Sequence, residues 1–259
     1  MRSRETRGWA QTTADYINYN LEHGAFEMAE LRQFMLGLVA GGPTKSGHRT
    51  PAVIVTLPMY ALDAAEMRAN NWIIHQILNT GVHGLLLTHA DSPEAIRTFV
   101  QSCRYPHAPP APGLPLDAGL ERGAGSESFA AQIWGMSGPE YMRKADPWPL
   151  NPKGELMLGL KIEERWALTN AEESARIAGI SFAEWGPDGY GFVLAWTSTD
   201  PCTGSAWISG WRRWGRGRRR RSHATSIDGG RPQSGARRHA GREDCLSELV
   251  QRVQCRRHD

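Results

Sequence analysis

The run AVIVTL at residues 52–57 is too short for a helix, is β-branched at most positions, and offers no polar face. Such a run reads as a strand buried on both sides, the kind found in parallel sheets covered by helices. It does not stand alone. YINYNLE (16–22), VHGLLLTH (82–89), LMLGLKIE (156–163) and ISFAEW (180–185) read as further strands. Helical segments separate them. EMAELRQFMLGLVAGG places Met28, Leu31, Met35 and Leu38 at helical spacing before a Gly-Gly stop. LDAAEMRANNWIIHQILNTG begins at Asp63 as N-cap and stops at Gly81. DSPEAIRTFVQSC starts with Ser92 as cap and Pro93 at the first helical position. TNAEESARIAG carries Asn170 and Glu173 at capping-box spacing. Repeated strand–helix–strand units imply an α/β fold, either an open doubly wound sheet or a (β/α) barrel. No glycine-rich phosphate loop follows any strand, which argues against a nucleotide-binding sheet.

Two stretches break this grammar. Residues 104–152 are rich in Pro and Gly and too long for a simple connection, with AAQIWG and PEYMRKA as short helices inside it. After Gly189 neither periodicity persists. Residues 202–259 contain fourteen arginines, no lysine and five acids, a net charge of +9, so residues 1–201 carry −6. The division expected is an irregular segment 1–14, a partial α/β domain 15–189, and a basic, largely irregular tail 190–259. The tail's composition reads as a GC-rich gene translated out of frame. WRRWGRGRRRR (211–221) makes non-specific polyanion binding the expectation for it, and a nucleic-acid-binding tail on an inactive fragment the rival to an enzyme. No apolar run approaches the ~20 residues needed to span a bilayer. Cys103, Cys202, Cys245 and Cys255 have no metal-binding spacing. A cytoplasmic location with free thiols is expected.

Ligands of parallel α/β folds bind at the carboxyl ends of strands. Glu22 and His23 end the first strand, Glu163 and Glu164 the strand from 156, and Asp188 lies in the GPDG turn after the strand from 180. Carboxylates from adjacent strands can hold one hard divalent cation through oxygen. Taken singly, each of these acids reads first as a solvated loop residue or a helix cap, and His23 as a polar loop residue. Glu164 and Glu184 read as exposed acids, and the tryptophans, Trp185 among them, as packing residues. Lys161 reads as pointing away from Glu163 along a regular strand, leaving no lysine placed for a Schiff base.

Several of these segments, in order, resemble the HpcH/HpaI family of metal-dependent pyruvate aldolases. NLEHGAFEMAELRQFM is similar to that family's D-x-E-H-G-P-F strand end and following helix. RYP (104–106) with ERGAGS (121–126) resembles its RYPP…RG-x-G loop. LGLKIEERWALTNAEESARIAGISFAEWGP resembles its metal-binding IE strand and GP-x-D turn. The likeness covers residues 14–190. It implies a TIM barrel, usually oligomeric, here lacking its first strand and its last two. It implies carbon–carbon cleavage or formation of a 4-hydroxy-2-keto acid through a pyruvate enolate stabilised by Mg²⁺ or Mn²⁺. Carried onto this chain, Glu163 and Asp188 become metal ligands and His23 the proton-handling residue. Arg122 joins His23 as catalytic, while Gly123, Trp185 and Gly186 contact a 2-keto acid and its aldehyde partner.

The chain departs from the family pattern at Asn20 and Asn79, each in place of Asp, and at Thr56, in place of a substrate-clamping Arg. Threonine cannot supply the guanidinium's fork of donors. Asp188 stands one residue early in its turn, a displacement of about 3.3 Å along a strand. These departures point to a diverged substrate or an impaired enzyme.

Overall fold

The computed structural model describes residues 3–117, 119–185, 224–228 and 231–232. Helix α1 (Ser3–Trp9) precedes strand β1 (Tyr16–Asn20) and helix α2 (Met28–Gly41). Then come β2 (Ala52–Tyr60), α3 (Ala64–Leu78), β3 (Gly84–Thr88) and α4 (Pro93–Ser102). The long connection holds α5 (Glu127–Trp134), α6 (Gly138–Lys144) and the short β4 (Pro147–Trp148). Strand β5 (Leu156–Ile162), helices α7 (Arg165–Thr169) and α8 (Ala171–Ala175) and strand β6 (Phe182–Trp185) follow. Two further strands are β7 (Ala224–Asp228) and β8 (Arg231–Pro232).

The strands form one sheet in the order β5-β3-β2-β1-β7-β8, and both β4 and β6 pair with β5. All pairings are parallel except β7 with β8. The sheet curls. Tyr16 on β1 donates its hydroxyl hydrogen bond to Glu184 on β6 at 2.6 Å, though β2, β3 and β5 lie between their strands. Alternation explains what fills each face. Ile17, Tyr19, Val53, Val55, Leu57, Leu85, Leu87, Leu158, Leu160 and Ile162 point to the helices and share one core with Leu31, Phe34, Met35, Met67, Ile74, Ile77, Ile96 and Phe99. The alternate positions line the concave face, where Thr56 bonds Asn18 at 2.8 Å. Among the described residues, no pairing closes the sheet into a barrel.

The predicted caps at the start of α3 and α4 form: Asp63 accepts from the Glu66 amide at 2.8 Å, and Ser92 from that of Ala95. The predicted capping box does not form. The segment splits at Asn170 into α7 and α8, and the Asn170 side chain instead donates to the Asp91 carbonyl at 2.7 Å.

After Gly189, in the segment expected to be largely irregular, the described residues are the two short strands β7 and β8. β7 pairs in register with the whole of β1, Tyr16 opposite Ala224 through Asn20 opposite Asp228. The segment ATSID has only modest strand character by itself. Its pairing is decided by the open edge of β1, which no local pattern encodes. The arginine-rich run 211–221, and with it the polyanion-binding reading, lies outside the described residues.

Candidate active site

The carboxyl ends of β1, β3 and β5 deliver four side chains to one place. At the end of β1 the Asn20 carboxamide accepts from the backbone amides of Glu22 at 2.9 Å and His23 at 3.3 Å. Asn20 thus supplies the acceptor that turns the chain and holds the side chains of Glu22 and His23 at the rim. His89 follows β3 with φ of 46°, and its ring stands edge-on to Tyr60 at 4.3 Å. Lys161 and Glu163 come from the end of β5.

Glu22 sits at the centre. Its Oε2 is 2.6 Å from Lys161 Nζ and its Oε1 is 3.6 Å from His89 Nε2. Lys161 Nζ also lies 2.8 Å from Glu163 Oε1. His89 Nδ1 is 2.6 Å from Glu164 Oε1. Donor atoms of Glu22, His89 and Glu163 all lie within 4.8 Å of one another. Glu163 is buried, and its Oε2 has no hydrogen-bond partner among the described residues. A buried carboxylate oxygen left unpaired is costly. Two carboxylates, an imidazole and that orphan oxygen suit a divalent cation by ligand type.

The charges are strongly coupled. Burial works against ionisation of Glu22, yet hydrogen bonding to His89 and Lys161 outweighs it and holds its pKa at about 2. His89 is raised, chiefly by Glu22, then by Glu164, against an opposing effect of burial. Burial also opposes the charge on Lys161, but Glu163 and Glu22 together raise its pKa, so it is an ammonium at neutral pH. Asp91 is pushed up to about 6 by burial and by the Glu164 charge, while accepting from the Ala167 amide at 3.0 Å. An ammonium so stabilised is a poor Schiff-base nucleophile.

The sequence-predicted residues fare differently. Glu163 is in the cluster. His23 borders it, with Nε2 3.5 Å from Glu22 Oε2 and an exposed side chain. Arg122 is not joined to it. Its guanidinium is buried against Tyr105 at 4.3 Å and bonds Tyr141 Oη at 3.1 Å and Asn79 Oδ1 at 3.3 Å. Asn79 follows α3 just before β3 starts, at the amino-terminal edge of the sheet, opposite the cluster. Gly123 follows on the exposed surface. The Trp185 side chain, Gly186 and Asp188 lie outside the described residues.

Two expectations need correction. Lys161 does not point away from Glu163. Residues two apart on a strand share a face, so alternation puts them together. Glu164 and Glu184 are not idle exposed acids; each holds a partner, His89 and Tyr16 respectively. His89 was missed altogether, though it ends a strand by the same rule that singled out Glu22 and His23. Cys103 is a buried free thiol, as expected. Among the described residues no helix is long and apolar enough to cross a membrane.

No protein-family model matches the chain. It is 32% identical over 115 residues to the hydroxypyruvate/pyruvate aldolase of Deinococcus radiodurans, a match covering 44% of this chain and 35% of that protein. The chain thus spans about a third of the length of this curated relative. Two solved structures share the fold. An HpcH/HpaI aldolase/citrate lyase family protein from Burkholderia cenocepacia superposes with a TM-score of 0.55 at 16% identity, over 82% of this chain and 70% of that one. The HpcH/HpaI aldolase from Desulfitobacterium hafniense gives 0.55 at 19% identity, over 82% and 68%. In fold over most of its length the chain resembles the HpcH/HpaI aldolases, and in sequence over 115 residues it is similar to a pyruvate-type aldolase.

Proposed function

We propose that the chain carries the site of a carbon–carbon lyase that cleaves or forms a 4-hydroxy-2-keto acid, with a pyruvate enolate as the charged species between substrate and products. One observation carries this reading: the buried, unpaired Oε2 of Glu163 at the end of β5, with Glu22 and His89 beside it. Glu163, Glu22 and His89 would hold a divalent cation, which when bound would supply Lewis-acid stabilisation of the enolate charge; Asp188, outside the described residues, is the further carboxylate that the resemblance implies.

The protein's own residues do the rest. In the cleavage direction His23 takes the proton from the C4 hydroxyl. The C3–C4 bond breaks, its electron pair passes into the three-carbon fragment as enolate, and the aldehyde leaves. Reprotonation at C3 then yields pyruvate. Glu22 Oε2 lies 3.5 Å from His23 Nε2, close enough to orient the ring. Glu164 orients His89 through Nδ1, leaving Nε2 turned to Glu22. Thr56, bonded to Asn18, offers no cation to the keto acid, so clamping of its carboxylate differs from the family pattern.

The test is pyruvate release from a set of 4-hydroxy-2-keto acids by the full chain, with Mg²⁺, with Mn²⁺ and with chelator. Release that requires the cation is expected. Absence of release from every substrate, with either cation and with a folded protein, rejects the proposal.

A further inference from the structure

The cluster already contains a full positive charge. Lys161 Nζ touches Glu22 Oε2 at 2.6 Å and Glu163 Oε1 at 2.8 Å, two of the three residues whose donor atoms converge. Its side chain is mostly shielded from solvent, so water screens it weakly. An ammonium has three N–H donors and no acceptor, so it binds the carboxylates as a point charge and offers a metal nothing. Each glutamate gives it one oxygen. Of the remaining ones, Glu22 Oε1 lies 3.6 Å from His89 Nε2, and Glu163 Oε2 is buried with no hydrogen-bond partner among the described residues. A divalent cation drawn to these atoms would share both carboxylates with the ammonium, and like charges on shared ligands repel.

We propose that Lys161 is a resident cation of this site, which competes with a divalent cation for Glu22 and Glu163 and sets a low affinity for it. Loading the site then requires Lys161 to swing off both carboxylates, and removing Lys161 tightens binding. The inference rests on reading Glu22, His89 and Glu163 as a cation site. It makes Lys161 the residue that decides how strongly the site discriminates a metal from its own side chain.

The test is Mn²⁺ binding to the full chain, followed by the electron paramagnetic resonance signal of free Mn²⁺, for the native protein, Lys161→Gln, and Lys161→Gln with Glu163→Gln. Lys161→Gln is expected to bind Mn²⁺ more tightly by about tenfold or more. Adding Glu163→Gln should abolish the gain. Equal or weaker binding by Lys161→Gln overturns the proposal, and so does the absence of saturable binding in both the native protein and Lys161→Gln. If Lys161→Gln folds only with Mn²⁺ present, the rise in melting temperature between limiting and saturating Mn²⁺ is compared instead. A rise no larger than that of the native chain also overturns it. The readout needs no turnover. Tighter Mn²⁺ binding without pyruvate release would reject the lyase and keep this inference, while cation-dependent release with no effect of Lys161→Gln on binding would do the reverse.

Discussion

Lys161 Nζ lies 2.6 Å from Glu22 Oε2, although strands β3 and β2 stand between their own strands in the sheet. The contact is possible because the sheet curls, bringing the carboxyl ends of β5 and β1 across a shared hollow. Tyr16 and Glu184 make a second bridge of the same kind. Together they mark the concave face as the place where charge is gathered.

Glu163→Gln keeps the shape of the side chain and removes its charge. It is expected to abolish cation-dependent pyruvate release and to lower Mn²⁺ affinity, measured by a coupled pyruvate assay and by titration. A variant unchanged in both would dismiss the site.

His23 and His89 are separable by what they lose. His23→Ala should lower turnover by about 10²–10⁴, the range of a positioned acid–base group, with Mn²⁺ affinity little altered. His89→Ala should weaken Mn²⁺ binding first, because it removes a ligand atom. Full turnover in His23→Ala would return that residue to an ordinary surface role.

Acid should destabilise the fold through His83. Its Nδ1 accepts from the Val53 amide at 3.2 Å and its ring stacks on Trp134 at 5.3 Å. Burial lowers its pKa from 6.5 to about 4. Between those values the unfolded chain binds a proton that the native chain refuses, so stability is full above pH 6.5 and falls as pH drops towards 4. Urea midpoints measured at half-unit steps should show this slope in the native protein and lose it in His83→Gln. Identical slopes in the two would refute the assignment.

Arg122 is expected to act on stability. Its Nε and Nη1 are buried without hydrogen-bond partners among the described residues, so the side chain is held largely by the faces of Tyr105 and Tyr141. Arg122→Ala should cost about 2–4 kcal/mol by opening a cavity. Arg122→Met, which fills the space without stranding donors, should cost about 1 kcal/mol or less. Chemical denaturation checks both. A raised KM for the keto acid in a fully stable Arg122→Met would place Arg122 with the substrate, as its loop motif implies.

Ending the chain after Trp185 removes β7 from β1. The backbone of Tyr16–Asn20 then loses one of its two pairing neighbours. An unpaired parallel edge invites association, so the shortened chain should form larger species by sedimentation velocity. A monomer of unchanged stability would show that β7 contributes nothing.

What the sequence determined by itself was local. Apolar runs such as AVIVTL, the caps Asp63 and Ser92, and the breaks before residues 52 and 84 act through neighbouring backbone and short-range alternation, so they can be read from neighbouring letters. The same rule of strand ends found Glu22, His23 and Glu163, and would have found His89 had it been applied to LLLTH. Tertiary structure decided the rest, because it depends on curvature. Only the curl of the sheet sets Lys161 between Glu22 and Glu163, or joins Tyr16 to Glu184. Only the open side of β1 makes a strand of residues 224–228. Arg122 belongs with these: its motif resembles a substrate loop, while its guanidinium packs against Tyr105 and Tyr141, a long-range placement that no spacing along the chain encodes.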